Sequence, residues 1–407
     1  MLATRIGVLS AGDTDLPDRT REASGEPVPL SLPSGRPMGG VALVREWVAD
    51  VAQISCSRER LDAVLLAAEK PEELAGLVLA ALRLNLPAVV DPPGDARLFA
   101  ALAALGLAPV ASDPVEVAVG IASGPRPLEL VESFSLANAL RTAYSLGEGP
   151  EALVHLSAIA REAGAVGFEQ MSRVLLSETP VLVQPDSAWF EQYGVAGILA
   201  HLGEILNDTR TVEGDLRQTL PAAPPPPADG SRLIFVVGRA SGTEALCRVT
   251  DADEEISGEC RVHHSEKFAA RVVEGGVVEA GSLLVVAGCG PRGGPGLVRL
   301  DRLSRALRES GLEESITVMT DGLPPRDARG RWVSLVSPEA RAGGVIGRLR
   351  SGDFLRIDLL EGRIRTGVKA GELENRDPYE LPDHGTAGYA ARYARSALSA
   401  LEGAGFG

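Results

Sequence analysis

The sequence is poor in aromatic residues, which make up 4% of its 407 residues. Single-stranded nucleic acids are commonly held by stacking bases on aromatic rings, so this scarcity argues against such a platform. Positive charge is also in deficit, because 55 acidic residues outnumber 40 Lys and Arg and give a net charge of −15. Such a surface repels nucleic acid and anionic membranes, and no basic stripe reverses the field locally. We therefore expect neither as a partner.

Cysteine pairs and long apolar runs are also missing. The four cysteines lie far apart and form no CxxC pair: Cys56, Cys247, Cys260 and Cys289. A disulfide framework is therefore not expected in a chain of this size. The longest apolar run, 99–112, is too short to span a bilayer, and the N-terminus turns polar too early for a signal peptide. We expect a cytoplasmic protein.

Proline is concentrated in TLPAAPPPPADGSR, residues 219–232. Four consecutive prolines favour an extended polyproline segment and cannot continue a helix. We predict a linker over 219–230, between an N-terminal domain over 1–218 and a C-terminal domain over 231–407. With 45% hydrophobic residues, the chain can build two cores.

The sequence before the linker has an α/β pattern. RIGVL (5–9), LDAVLLAA (61–68) and LPAVV (86–90) have strand composition, and PEELAGLVLAALRLN (71–85) between the last two is helical. This βαβ unit predicts a parallel sheet with a right-handed crossover, and Ala-rich amphipathic helices follow it. We predict an α/β N-terminal domain.

Short strands and glycine turns follow the linker. GDFLRIDLLEGRIR (352–365) alternates around a Glu-Gly turn and is typical of a hairpin. We predict a β-rich barrel or sandwich, barrel-like overall, that ends in a helix over TAGYAARYARSALSALEG (386–403).

GCGPRG, residues 288–293, formally matches the dinucleotide motif GxGxxG. Pro291 and Pro295 remove amides that would cradle a phosphate, and the motif lies in the β-rich half. A glycine-rich turn packed near another domain is the preferred interpretation. The adjacent His263 and His264 would point to opposite faces of a strand, so they do not predict a metal site.

Six segments form one recognisable set: EAGSLLVVAGCGPRGGPG (279–296), TVMTDG with ARG and VSPEARAGG (317–344), SGDFLRIDL (351–359), GYAARYAR (388–395), LAALRLNLPAVV (79–90) and ALVHLSAIAREAG (152–164). Together they resemble the dihydroxy-acid and phosphogluconate dehydratases. The resemblance extends from about Val44 to the C-terminus. It implies an α/β domain followed by a β-barrel domain, usually in a homodimer, and hydro-lyase chemistry with an iron–sulfur cluster and magnesium.

The resemblance also implies a cluster held by three cysteines and a serine base, and here the sequence departs from the family. At the family positions of one cysteine, a magnesium aspartate and a modified lysine stand Lys70, Pro71 and Glu72. An ammonium group cannot replace a soft, anionic thiolate, and proline offers magnesium no ligand.

The remaining family positions also differ. No cysteine precedes ALGL (104–107), the shortened N-terminal region has none, and Cys56 falls at a position that the cluster does not use. Ser34 stands for a second magnesium aspartate, Arg299 for a magnesium glutamate and Pro325 for the serine base. We therefore expect no iron–sulfur cluster, no magnesium and no catalytic residue.

Three functions stay open. The first is a non-catalytic homologue that forms a homodimer, or that pairs with an active paralogue as a regulator or scaffold. The second is an enzyme with altered chemistry on a small carboxylate or phosphate, which an arginine-rich pocket could bind. The third is a residual dihydroxy-acid hydro-lyase.

The candidate pocket residues are Arg292, Gly293, Gly294, Arg299, Asp321, Arg326 and Arg329, with Asp327 beside them. The alternative for the arginines is a solvated loop.

Overall fold

The computed structural model describes residues 3–12, 14–32, 39–92, 96–147, 149–184, 187–227, 230–381 and 387–407. The described residues form two compact units. The first comprises those of Met1–Arg36, Val44–Glu148 and His155–Asp229, and the second those of Pro37–Leu43, Gly149–Val154 and Gly230–Gly407. The domain boundaries given above stay a prediction.

The first unit contains a four-stranded parallel sheet of order β2-β1-β3-β4. Its strands are β1 (Arg5–Ser10), β2 (Glu26–Ser31), β3 (Ala63–Ala67) and β4 (Ala88–Val90). The predicted βαβ unit is confirmed, because α3 (Pro71–Leu84) connects β3 to β4, which pair in parallel. The central strands are almost fully buried, which explains their continuous apolar sequence.

Ten helices are defined between residues 16 and 202 of the described chain. Besides α3 they are α1 (Leu16–Glu22), α2 (Val41–Cys56), α4 (Ala96–Ala104), α5 (Pro114–Gly120), α6 (Pro127–Leu130), α7 (Ser133–Ser145), α8 (Gly149–Glu162), α9 (Phe168–Glu178) and α10 (Ala188–Leu202). The first residues of α2 and α8 belong to the second unit. Two short strands follow, β5 (Arg210–Thr211) and β6 (Gly214–Asp215).

The second unit is a closed barrel of order β10-β11-β12-β8-β7-β14-β13-β9. Its strands are β7 (Ser231–Gly238), β8 (Glu244–Thr250), β9 (Glu255–His263), β10 (Leu283–Val286), β11 (Thr317–Thr320), β12 (Arg331–Ser337), β13 (Phe354–Asp358) and β14 (Arg363–Thr366). Its helices are α11 (Glu266–Glu274), α12 (Asp301–Glu309), α13 (Ala370–Asn375) and α14 (Gly388–Ser396). The predicted hairpin is confirmed as β13–β14.

The barrel has an apolar interior and a second apolar layer outside it. Leu283 and Val285 of β10 belong to the interior cluster, whereas Leu284 and Val286 pack in a cluster with residues of α11 and α12. This alternation follows from the two-residue period of a strand. The predicted fold class is confirmed: an α/β region with a parallel sheet, a β-barrel and a helix near the C-terminus. In the described part of the chain, no helix is long and apolar enough to cross a membrane.

Candidate functional site

Asp321 follows β11 and is completely buried. Its carboxylate accepts hydrogen bonds from the backbone amides of Cys289 (2.8 Å), Ala340 (3.0 Å) and Gly288 (3.1 Å). Burial raises the pKa of Asp321, and the three amides oppose that rise because they stabilise the carboxylate. Asp321 therefore ties the glycine-rich loop after β10 to the segment that follows β12.

The glycine-rich loop does not present its amides to a ligand. The amides of Gly288 and Cys289 bind Asp321, the amide of Gly293 donates to the carbonyl of Ala394 (2.9 Å), and that of Gly294 donates to Pro291 (3.2 Å). α12 begins only at Asp301, so no helix N-terminus follows the motif directly. The interpretation of GCGPRG as a glycine-rich turn agrees with this geometry, since a dinucleotide site needs free amides at a helix start.

Two of the predicted arginines, Arg299 and Arg326, meet on one carboxylate, that of Glu151. The Nε of Arg299 lies 3.2 Å from Glu151 Oε2, and Nη2 of the same arginine donates to Oε1. The Nε of Arg326 lies 3.3 Å from Oε2. Glu151 belongs to the first turn of α8 and is 4% exposed. We call these three residues the Arg-Glu-Arg network.

The network is close to another acidic group, Asp301, the first residue of α12. Burial raises the pKa of Asp301, and the nearby Glu151 adds to that rise, whereas Arg299 and Arg326 oppose it. Neither acid was predicted as a site residue, and Glu151 lies 148 residues before Arg299 in the chain. A basic residue at a family ligand position is the signal that should prompt a search for a buried acidic partner.

Pro324 and Pro325 are both buried. The backbone around them is held on two sides: the amide of Leu323 donates to Val298 (2.9 Å), and the amide of Ala328 donates to the carbonyl of Pro325 (3.1 Å). The position that resembles the family's serine base is therefore part of a packed loop and carries no hydroxyl group.

The other candidates do not converge on the Arg-Glu-Arg network. Arg292 and Arg329 are exposed. The carbonyl of Arg329 accepts a hydrogen bond from the indole Nε1 of Trp332 (2.9 Å). Asp327 is paired with Arg308 at 2.8 Å. The structure thus brings together two of the four predicted arginines.

Sequence reasoning did not select Glu339, which follows Pro338 and is completely buried. Its Oε1 accepts a hydrogen bond from the amide of Ala400 (2.9 Å), and its Oε2 has no hydrogen-bond partner among the described residues. Burial raises the pKa of Glu339, Asp321 adds to the rise, and Arg292 opposes it. The side chain also packs against Gly290, where an added Cβ would lie 2.6 Å from the Glu339 Cγ.

In the first unit, the positions compared with the family's cysteine, aspartate and lysine lie at the start of α3. Lys70 is the exposed residue before this helix, Pro71 is its first residue, and Glu72 is 8% exposed. Ser34 lies outside the described residues.

All four cysteines are buried and free. Burial raises the pKa of Cys56 and of Cys260 to about 12, and it raises the thiol pKa of Cys247 and Cys289 as well. No group of three or more His, Cys, Asp or Glu side chains within the described ranges could hold a metal ion.

The comparisons with known proteins agree with the fold. The profile described as Dihydroxy-acid/6-phosphogluconate dehydratase C-terminal matches residues 226–404. A dihydroxy-acid dehydratase of Trichlorobacter lovleyi is 30% identical over 305 residues, which cover 69% of this chain and 55% of that protein. One of Citrifermentans bemidjiense is 31% identical over 305 residues, with the same coverage of 69% and 55%.

A dihydroxy-acid dehydratase of Natronomonas pharaonis is 27% identical over 470 residues, which cover 88% of this chain and 78% of that protein. The chain spans about 55% of the length of several of the relatives that it matches. The matched region includes the whole barrel, with the Asp321 loop and both arginines of the Arg-Glu-Arg network. The chain belongs to the dihydroxy-acid dehydratase family.

Proposed function

We propose that this chain is a non-catalytic member of its family, without an iron–sulfur cluster or magnesium. The observation that carries the proposal is the Arg-Glu-Arg network. Arg299 stands where the resemblance places a magnesium glutamate, and its guanidinium group is bound to the buried Glu151.

Electrostatics explains why this arrangement does not suit a cation. Magnesium is held by carboxylate and other oxygen ligands, and two guanidinium groups beside it would repel it. The one carboxylate of the network already accepts hydrogen bonds from both arginines. Pro325, at the position of the serine base, has no group that could remove a proton.

The second function, altered chemistry on a carboxylate or phosphate, has less support. An anion would need unpaired donors that converge. Arg299 and Arg326 are bound to Glu151, and Arg292 and Arg329 are exposed elsewhere on the unit.

The expected role is therefore regulation or scaffolding, as a homodimer or in a pair with an active paralogue in the cytoplasm. The oligomeric part of this proposal rests on the family resemblance. The buried, free cysteines are compatible with a reducing compartment.

Metal and sulfide analysis tests the proposal. The full chain should be expressed with ample iron and purified without oxygen, and its absorbance spectrum and dihydroxy-acid dehydration should be measured. A Trichlorobacter lovleyi dihydroxy-acid dehydratase prepared in parallel is the control, and it must be iron-loaded and active. We expect this chain to be folded, colourless and inactive.

Stoichiometric iron and sulfide with hydro-lyase activity would overturn the proposal. Co-expression with a dehydratase paralogue from the same genome tests the regulatory role. A stable mixed oligomer whose activity differs from that of the paralogue alone would support regulation, whereas two separate homo-oligomers would support the homodimer.

A further inference from the structure

The barrel contains a cavity of about 550 Å³ that the proposed function does not use. It lies beside the ends of β7 and β14 and reaches inward to β11. Its deep wall is buried and apolar and includes Met319, Ile346 and Leu349. The exposed residues Arg239 and Arg363 also line it.

The strand pairing explains why the barrel is open here. β7 and β14 pair in parallel over two residue pairs, Arg363 with Val237 and Ile364 with Gly238. The neighbouring β7–β8 pair extends from Ser231 to Val237. β7 ends at Gly238, so β14 continues beyond Ile364 without a β7 partner.

The charge at the mouth is not balanced. Glu361 is the acidic residue in the lining, and its carboxylate is already paired with Arg365 at 2.6 Å. For Arg239 and Arg363, no acidic partner is found in the part of the chain that the structure describes. Within the described ranges, a protein with a net charge of −15 thus places two guanidinium groups that form no ion pair beside an apolar cavity.

A ligand that satisfies both features has an apolar tail and an anionic head. Cavities of this size and with this kind of lining are typical of small-molecule sites, in which a few polar groups fix the orientation. We propose that the cavity binds an unbranched aliphatic carboxylate. Its tail lies against Ile346 and Leu349, and its carboxylate binds Arg239 and Arg363. This site is separate from the Arg-Glu-Arg network and does not depend on the proposed function.

A series of carboxylates of increasing chain length tests whether the cavity binds the aliphatic tail. Hexanoate, octanoate and decanoate, each below its micelle concentration, should be titrated into the full chain by calorimetry. Each buried methylene should strengthen binding by about fourfold, until the cavity is filled. Affinity that does not change with chain length, or no measurable heat with any of the three, would overturn the proposal.

Arginine variants test whether the carboxylate head of the ligand binds the two arginines. Arg363→Leu should weaken every carboxylate by about tenfold without changing the gain per methylene, because the tail contacts remain. Arg356→Leu is the matched control: Arg356 is exposed on the neighbouring strand, pairs with Glu255 at 2.5 Å and does not line the cavity. It should leave the affinity unchanged. Equal losses in the two variants would contradict the proposal.

Two further measurements separate a specific site from general hydrophobic binding. Octylammonium has the same tail length with the opposite charge and should bind at least about tenfold more weakly than octanoate. Val368→Trp, at a partly buried lining position, should abolish binding of decanoate before that of hexanoate. If octylammonium binds as well as octanoate, the arginines do not select the ligand.

Discussion

Replacement of Glu151 by leucine is the sharpest test of the Arg-Glu-Arg network. The carboxylate accepts hydrogen bonds from both Arg299 and Arg326. The two arginine side chains are 14% and 21% exposed, so water reaches them only in part. Glu151→Leu leaves two neighbouring positive charges with much of their hydration missing.

The expected cost follows from this burial. Removal of one partner from a buried ion pair costs about 3–5 kcal/mol. The partial exposure of both arginines lowers this figure, and we expect a loss of about 3 kcal/mol in the free energy of unfolding. For a unit of this size, that loss corresponds to a melting temperature lower by about 6–12 °C.

Calorimetry should measure the loss of stability, and hydrogen exchange should show which part of the chain is destabilised. The amides of Leu323 and Leu300 form hydrogen bonds between the loop that carries Arg299 and the loop that carries Arg326. Both amides should therefore exchange faster in Glu151→Leu. Arg308→Leu is the control, because it removes the ion pairs of an exposed arginine side chain with Asp327 and Glu313. Such a pair contributes little to stability.

The triple variant Glu151→Leu, Arg299→Leu, Arg326→Met should recover most of the lost stability. Replacement of a whole buried ionic group by apolar side chains is often neutral or stabilising. If Glu151→Leu melts at the same temperature as Arg308→Leu, the network does not stabilise these loops. If the triple variant is no more stable than the single one, the cost does not come from unpaired charge.

Two other predictions concern buried proline and a buried acid. Replacing Pro324-Pro325 by Phe-Ser should lower the free energy of unfolding by about 1–2 kcal/mol, because both prolines restrict the unfolded chain. The variant should show no dehydratase activity. A higher melting temperature in thermal unfolding would contradict this prediction. Burial raises the pKa of Asp91 to about 6, so its contribution to stability is complete below its unfolded pKa near 4 and is lost as the pH rises through 6. Asp91→Asn should therefore flatten the pH dependence of urea unfolding between pH 4 and 6. Asp113→Asn should lose stability above pH 4. Burial raises the pKa of Asp113, but hydrogen bonds from the amides of Glu116 and Val115 and the nearby Arg19 together outweigh burial and lower that pKa.

The sequence predicted those elements whose pattern is local. β3 and α3 have uninterrupted strand and helix patterns, and the structure confirms both. β2 was not predicted, because Pro27 and Pro29 argue against a strand; it is tolerated at the edge of the sheet. β9 was not predicted either, since Gly258 interrupts it and polar residues alternate with its few apolar ones.

The C-terminal helix is shorter than predicted, because α14 ends at Ser396. Helical spacing continues beyond that residue in the sequence. The amide of Leu398 instead pairs with Gly405, and Ala397 forms a bridge with Phe406, so contacts with the chain end override the local pattern.

The candidate site could be predicted only in part. Asp321 was predicted as a pocket residue from the TVMTDG segment that resembles the family, whereas in the structure it is buried and accepts hydrogen bonds from backbone amides. The pairing of Arg299 and Arg326 depends on Glu151, which comes from a helix more than a hundred residues earlier. No local pattern contains that contact, because Glu151 in sequence is one polar residue of an amphipathic helix.

The Arg-Glu-Arg network also indicates which substitutions a metal site at this position would require. Arginine at position 299 places a positive charge in a largely buried site, and it is tolerated because Glu151 neutralises it. A glutamate at 299 would instead put a second carboxylate beside Glu151, close to Asp301. Like charges at short range in a low dielectric repel strongly, and a bound cation or protonation of one carboxylate would have to offset this repulsion. Because Arg326 binds the same carboxylate, several residues would have to change together before a metal ion could be held there.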